Sequence, residues 1–121
     1  MSKKTKRKNL EIIGFTEKVI VIGKTERKQL IARIDTGATL SSIDKAFAKE
    51  LKLGPVVKKK TVKSAVGKEV RSVINVNFVL GSKNLKDQFS LADRSHMKYK
   101  VLIGQNVLKK EGFLIDPTKE L

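Results

Sequence analysis

The segment VRSVINVNFVL, residues 70–80, places Ile74, Val76, Phe78 and Leu80 on one side of an extended chain and Asn75 and Asn77 on the other. A period of two over that length specifies a β-strand with one face buried. Slipping its pairing by one residue would turn the whole apolar set toward water, so the register of any sheet containing it is tightly constrained. The same period recurs. Glu17–Ile22 reads as a strand ending at Gly23, Lys24-Thr25-Glu26 as a turn, and Lys28–Ile34 as the returning strand of a hairpin. Lys58–Val66 is expected to be a strand, with Gly67-Lys68 as the turn tip before Val70. Gly81–Asn84 turns the chain, Leu85–Ala92 is a further strand, and Asp93-Arg94-Ser95-His96 is a polar loop. Val101–Gly104 reads as a buried strand feeding a short helix, Gln105–Lys110, and Gly112–Ile115 as a last strand before Asp116-Pro117. A second short helix is expected over Asp44–Leu51, where helix formers follow an Asp and stop at Gly54-Pro55. The chain is therefore mainly β with one or two short helices.

At 121 residues there is room for one hydrophobic core and one lobe. The expectation is a flexible basic arm over residues 1–10 and a folded domain over residues 11–121. Absence of cysteine and a single histidine, His96, exclude disulfides, thiolate metal sites and imidazole clusters within one chain, so neither a metal nor another cofactor is expected. No apolar run approaches the length of a membrane span, and no apolar segment of a leader follows the basic start, which reads as a soluble cytoplasmic protein. Lys and Arg number 27 against 12 Asp and Glu, a net charge of +15, with Lys3, Lys4, Lys6, Arg7 and Lys8 crowded at the start. Such a balance favours acidic partners: nucleic acid through the basic arm, a ribosomal surface, or an acidic peptide. Trp is absent and the few Phe are scattered, so no platform for stacking bases is visible.

One ionisable residue sits where an apolar strand ends. In LIARIDTGATLSSID, residues 30–44, the run stops at Asp35, and Thr36-Gly37-Ala38 turn the chain. An Asp in a β-turn commonly caps backbone N–H groups, with Gly supplying the left-handed position. Here, however, the tripeptide closes a strand, precedes Thr39, Ser41 and Ser42, and is matched near the C-terminus by a second strand-Gly-helix element, VLIGQNVL.

These paired motifs resemble the retropepsin-like aspartic peptidases, in which Asp-Thr-Gly-Ala carries the catalytic aspartate and an apolar-apolar-Gly element supports it. The stretch FSLADRSHMKYKVLIGQNVLKKEGFLIDP, residues 89–117, is similar to the RimB-type branch, whose relatives accompany RimK-type glutamate ligases. Members of that branch often bear the label of ATP-dependent zinc proteases, which this composition does not support. Where members carry a His shortly after the turn, this chain has Asp44. The resemblance implies a single-lobe acid-protease barrel and a hydrolase using two carboxyls that share a proton: one activates water, the other protonates the scissile carbonyl oxygen. With one such motif per chain, the second Asp35 must come from a two-fold partner in a homodimer. Thr36 would lock the two turns together, and Gly37 would admit the close backbone approach. Ala38 in the turn, Gly67 and Lys68 at a candidate flap, and Asp93, Arg94 and Ser95 in the polar loop are the expected substrate-binding residues, with Arg94 suited to clamp a carboxylate. Asp93 and Arg94 also read as a structural ion pair.

The resemblance further implies a substrate with added glutamates, on a small-subunit ribosomal protein or on a small cofactor conjugate, and a +15 chain would attract such a tail. The rival from another class is a non-catalytic basic β-domain that binds ribosome or RNA; a degenerate peptidase fold kept for binding is a third. Ala38 has no hydroxyl to offer the outer carboxylate oxygen, so the ionised form is stabilised less than beside Ser or Thr. Hydrolysis is therefore expected to persist toward neutral pH, and a pH–rate profile confined to strongly acid conditions would contradict it.

Overall fold

A computed structural model describes residues 10–64 and 67–121; the cations of the N-terminal arm lie outside them. The elements follow in the order β1 Glu11–Ile13, β2 Thr16–Ile22, β3 Arg27–Ile34, β4 Ser41–Asp44, α1 Lys45–Glu50, β5 Val56–Ser64, β6 Gly67–Leu80, β7 Lys83–Ala92, β8 Val101–Ile103, α2 Gln105–Glu111 and β9 Phe113–Ile115. The alternation that specified β6 is realised. Ile74, Val76, Phe78 and Leu80 are buried, whereas Asn75 and Asn77 face water.

Pairing closes a barrel. Strands run β2-β3-β8-β4-β7-β6, and β6 returns to pair with β2 through Val19↔Leu80 to Ile22↔Asn77. Two of the contacts are parallel, β3 with β8 and β4 with β7, which inserts β4 and β8 between the hairpins contributed by the rest of the chain. The interior is filled by Val19, Val21, Ile34, Ile43, Ile103 and Val107, with Phe78 and Phe89 edge to face at 5.2 Å between ring centroids. Beside the barrel, β1 and β9 form a small parallel pair, Ile12 opposite Leu114.

Only the C-terminal part of β6, from Val73 onward, pairs with β7. Gly67–Ser72 pair with β5 alone, so β5 and the first half of β6 form a two-stranded ribbon, mostly exposed, extending from the barrel. Its tip differs from the expectation. Gly67 and Lys68 are not the turn but the first residues of β6, opposite Ser64 and Lys63; the connection is residues 65–66, outside the described residues.

Two strands were not anticipated. β1 is three residues long, too short to show a period. β4 has the sequence SSID and is buried throughout, because its polar side chains are hydrogen-bonded inside the barrel rather than turned to water. The helices stand where expected. Asp44 caps α1 by accepting from the Phe47 N–H at 3.2 Å, and Gly112, at φ 67°, closes α2 through its N–H to Leu108 O.

Gly104 sits at the start of α2, with an extended φ of −107° that any residue adopts. What requires glycine is space: a Cβ there would lie 2.8 Å from Ala38 O and 3.0 Å from the Leu40 carbonyl carbon. Gly104→Ala should therefore lower stability by roughly 1–3 kcal/mol, as overpacking against backbone does. The check is a lower urea midpoint at unchanged slope.

Candidate active site

Asp35 directly follows β3, and its backbone N–H donates to Ile103 O at 2.9 Å, tying the end of β3 to the end of β8. The turn that follows is held by its own carboxylate: Asp35 Oδ1 accepts from the Gly37 N–H at 2.9 Å, and the Ala38 N–H reaches Asp35 O at 3.3 Å. Thr36 and Gly37 are exposed, and Asp35 is half-buried. The C-terminal Gly-helix element supports the turn from beneath. Gln105 N–H donates to Ala38 O at 2.8 Å, Asn106 N–H to Thr39 O at 3.2 Å, and Gln105 Nε2 to Thr36 O at 2.7 Å.

A side-chain network locks this docking. Ser41 Oγ accepts from the Gly104 N–H at 2.8 Å and donates to Asn106 Oδ1 at 2.8 Å, which also accepts from the Ser41 N–H. Asn106 Nδ2 in turn donates to Gln88 O and Asp87 Oδ1 on β7. Nothing in the identity of Ser41 or Asn106 announced this; the signal available was the recurrence of strand-Gly-helix, which implied a partner for the Asp35 turn without naming its bonds.

The polar loop divides. Arg94 is 8% exposed, and its N–H donates to Asp44 Oδ1 at 2.8 Å, its Nε to Tyr99 O at 2.8 Å, and its Nη1 lies 3.5 Å from Ser42 Oγ. Burial pushes its guanidinium below the ordinary value; Arg71 adds to this, Asp35 and Asp44 oppose it, and Arg33 adds the smallest part. Asp93, by contrast, is exposed and accepts from the Ser95 hydroxyl and N–H, bonds that hold its carboxyl below the usual carboxylate range. The expected ion pair between Asp93 and Arg94 does not form, since each is engaged elsewhere. Asp93 lines a cavity with Lys45, Glu69 and Ser72, whereas Asp35 lines one with Arg94.

Arg94 lines two cavities. One, of about 360 Å³, also contains Asp35, Arg33, Tyr99 and Leu102. The other, of about 420 Å³, lies between the Asp35 turn, represented by Gly37 and Ala38, and the β5–β6 ribbon, represented by Lys60, Lys63 and Arg71. Gly67 and Lys68 line neither. Among the described residues, no second carboxylate lines either cavity or the smaller one formed by Phe15, Thr16, Arg33, Ile34, Asp35 and Thr36. Nor do three His, Cys, Asp or Glu side chains gather as metal ligands among those residues.

The family model described as RimB-like, retropepsin-like aspartic endopeptidase RimB, matches residues 44–121. The chain belongs to the RimB-like family. The matched span begins at the capping Asp44, so the Asp35 turn is assigned by its motif and its geometry rather than by that match. No curated protein matches significantly. Among solved structures, the chain is similar to Lpg0085 of Legionella pneumophila, a DUF785 protein of unknown function, at 22% identity and TM-score 0.63 over 91% of this chain and 95% of the other. It is similar also to the EIAV protease complexed with the inhibitor HBY-793, at 20% identity and TM-score 0.65 over 84% and 90%. The simian foamy virus protease follows at 16% identity and TM-score 0.59 over 88% and 99%. These likenesses establish the fold of a retropepsin-like protease for this RimB-like chain.

Asp44 supplies a carboxylate that both caps α1 and anchors the Arg94 backbone. Removing it strands two buried N–H groups, so Asp44→Ala should cost roughly 2–4 kcal/mol. Asp93→Ala, losing only exposed bonds, should cost well under that. Chemical denaturation of the two variants side by side gives the comparison.

Proposed function

We propose that this RimB-like chain is an active aspartic peptidase whose dyad is completed by Asp35 of a second copy in a two-fold homodimer. The observation that carries this reading is the carboxylate of Asp35 on a turn supported from beneath by Gly104–Asn106, with no other carboxylate among the described residues that line the cavities around it. One carboxyl cannot both take a proton from water and give one to the scissile carbonyl oxygen; two sharing a proton can. Thr36 and Gly37, exposed at the turn, are the residues that would meet their copies across the axis.

Apolar surface supports the same arrangement. Phe15, 58% exposed, lines the cavity beside Asp35 and Thr36, and Ile12 and Leu114, opposite each other in the β1–β9 pair, are also exposed. Exposed apolar clusters of this kind mark association surfaces.

The substrate we assign is an acidic tail of the kind that a RimK-type ligase adds, cut at its amide bonds. The chain's charge and the cationic cavity beside the Asp35 turn favour it over an uncharged peptide.

Mass spectrometry of a glutamate-tailed peptide incubated with the protein tests the reading. Wild type should shorten the tail, and Asp35→Asn should not, while remaining folded and dimeric by sedimentation. Leu114→Glu should shift the protein toward monomer and reduce turnover in proportion. Salt-sensitive nucleic-acid binding without hydrolysis would favour the non-catalytic basic domain instead.

A further inference from the structure

The 420 Å³ cavity is lined by four cations, Lys60, Lys63, Arg71 and Arg94, and among the described residues by no carboxylate. Two features make this more than a share of the net charge. Lys60 and Arg71 are direct cross-strand partners in the ribbon, an arrangement that like charges make unfavourable in a sheet. Arg94 is buried on the opposite wall, and among the described residues no carboxylate bonds its guanidinium, which donates to Tyr99 O and approaches Ser42 Oγ instead. A buried charge normally has an ionic partner, and Arg94 lies within electrostatic reach of Arg71 across the cavity. Arg71 also donates through Nε to Glu69, an exposed pair that contributes little to stability.

We propose that Arg71 and Arg94, assisted by Lys60 and Lys63, form a carboxylate-reading subsite that makes the peptidase select an acidic side chain next to the bond it cleaves. Arg94 is the fixed half, held by Asp44 and Tyr99 on the barrel; Arg71 and the lysines are the ribbon half. An incoming carboxylate neutralises the repulsion between the halves and draws the ribbon toward the Asp35 turn. Guanidinium suits this task because its planar fork engages both carboxylate oxygens. Thr39, Ser42, Thr61 and Ser90 add hydroxyls to the lining, and none of the described residues that line it is an aromatic on which a nucleic-acid base would stack.

The proposal rests on the peptidase reading for its consequence, and binding separates the two. Using the full chain with Asp35→Asn to prevent turnover, the affinity of a peptide ending in consecutive glutamates is compared with that of its glutamine counterpart. The glutamate peptide should bind roughly 10- to 100-fold more tightly, the range for charge-assisted bonds. Arg71→Gln should remove most of that ratio without moving the unfolding midpoint, and Arg94→Lys, which keeps the charge and loses the fork, should reduce it. Equal binding of the two peptides by folded protein would overturn the proposal, as would a preference untouched by both substitutions. Tighter binding of an oligonucleotide that is lost with the same substitutions would overturn it in favour of a phosphate backbone. Selective binding with no hydrolysis by wild type would leave the subsite standing and remove the peptidase reading; hydrolysis of both peptides at equal kcat/KM would do the reverse.

Discussion

The close approach of two backbone segments, the turn after Asp35 and the start of α2, is the constraint on which the site depends. Gly104 leaves no room for a side chain, so the Ala38 and Leu40 backbone can lie against it and the first N–H groups of α2 find their acceptors in the turn. A helix that begins without a side-chain cap needs such acceptors. The turn satisfies α2, and α2 in return fixes the turn: the two are stable only together. Ser41 and Asn106 extend the clamp to β4 and β7, so that the position of Asp35 is set by contacts with residues more than sixty places away in the chain. Pre-organisation of this kind is what a catalytic carboxylate requires, because misplacement of a reacting group is costly in rate.

Much of the barrel was legible in the sequence wherever burial followed a simple period. β6, the β2–β3 hairpin and both helices were readable because their side chains obey alternation or capping rules that need no distant partner. β4 was not, for the opposite reason. Its serines and aspartate show no apolar alternation, and it is Asn106, Gly104 and Arg94, all far along the chain, that bond them inside the barrel. The same limit applied at the site. Asp35, Thr36, Gly37 and Ala38 carried a local signature, whereas Lys60, Lys63 and Arg71 are ordinary surface cations until the ribbon's register brings Lys60 and Arg71 opposite each other beside the Asp35 turn. Reading Asp93 and Arg94 as a pair failed because neighbouring residues in a loop point to different sides: one makes a turn with Ser95 in water, the other is drawn inward by Asp44.

Charge acts here at two ranges. The excess of +15 is a long-range field that raises the encounter rate with any polyanion and is weakened by salt. It cannot distinguish a glutamate tail from nucleic acid. The cavity beside the Asp35 turn works at contact distance, where burial of Arg94 reduces screening and the geometry of the donors matters. A basic surface can therefore bring several partners to the protein while the cavity chooses among them.

The proposed two-fold symmetry would have a consequence for substrate choice. A peptide has direction and a two-fold dimer does not, so a substrate lying across the proposed dyad would meet one cationic cavity on each side of the cleaved bond, in opposite orientations relative to its own chain. A sequence with one acidic residue satisfies only one of them and leaves the other set of like charges uncompensated. A run of glutamates satisfies both in any register, since each step along the tail presents the same side chain. The proposed symmetric dimer and a repetitive acidic substrate would thus suit each other for the same reason: neither distinguishes its two ends at the point of cleavage. Specificity in such a system would come from charge on both flanks of the bond rather than from one deep pocket, and the mixed Lys and Arg lining of the cavity suits that requirement.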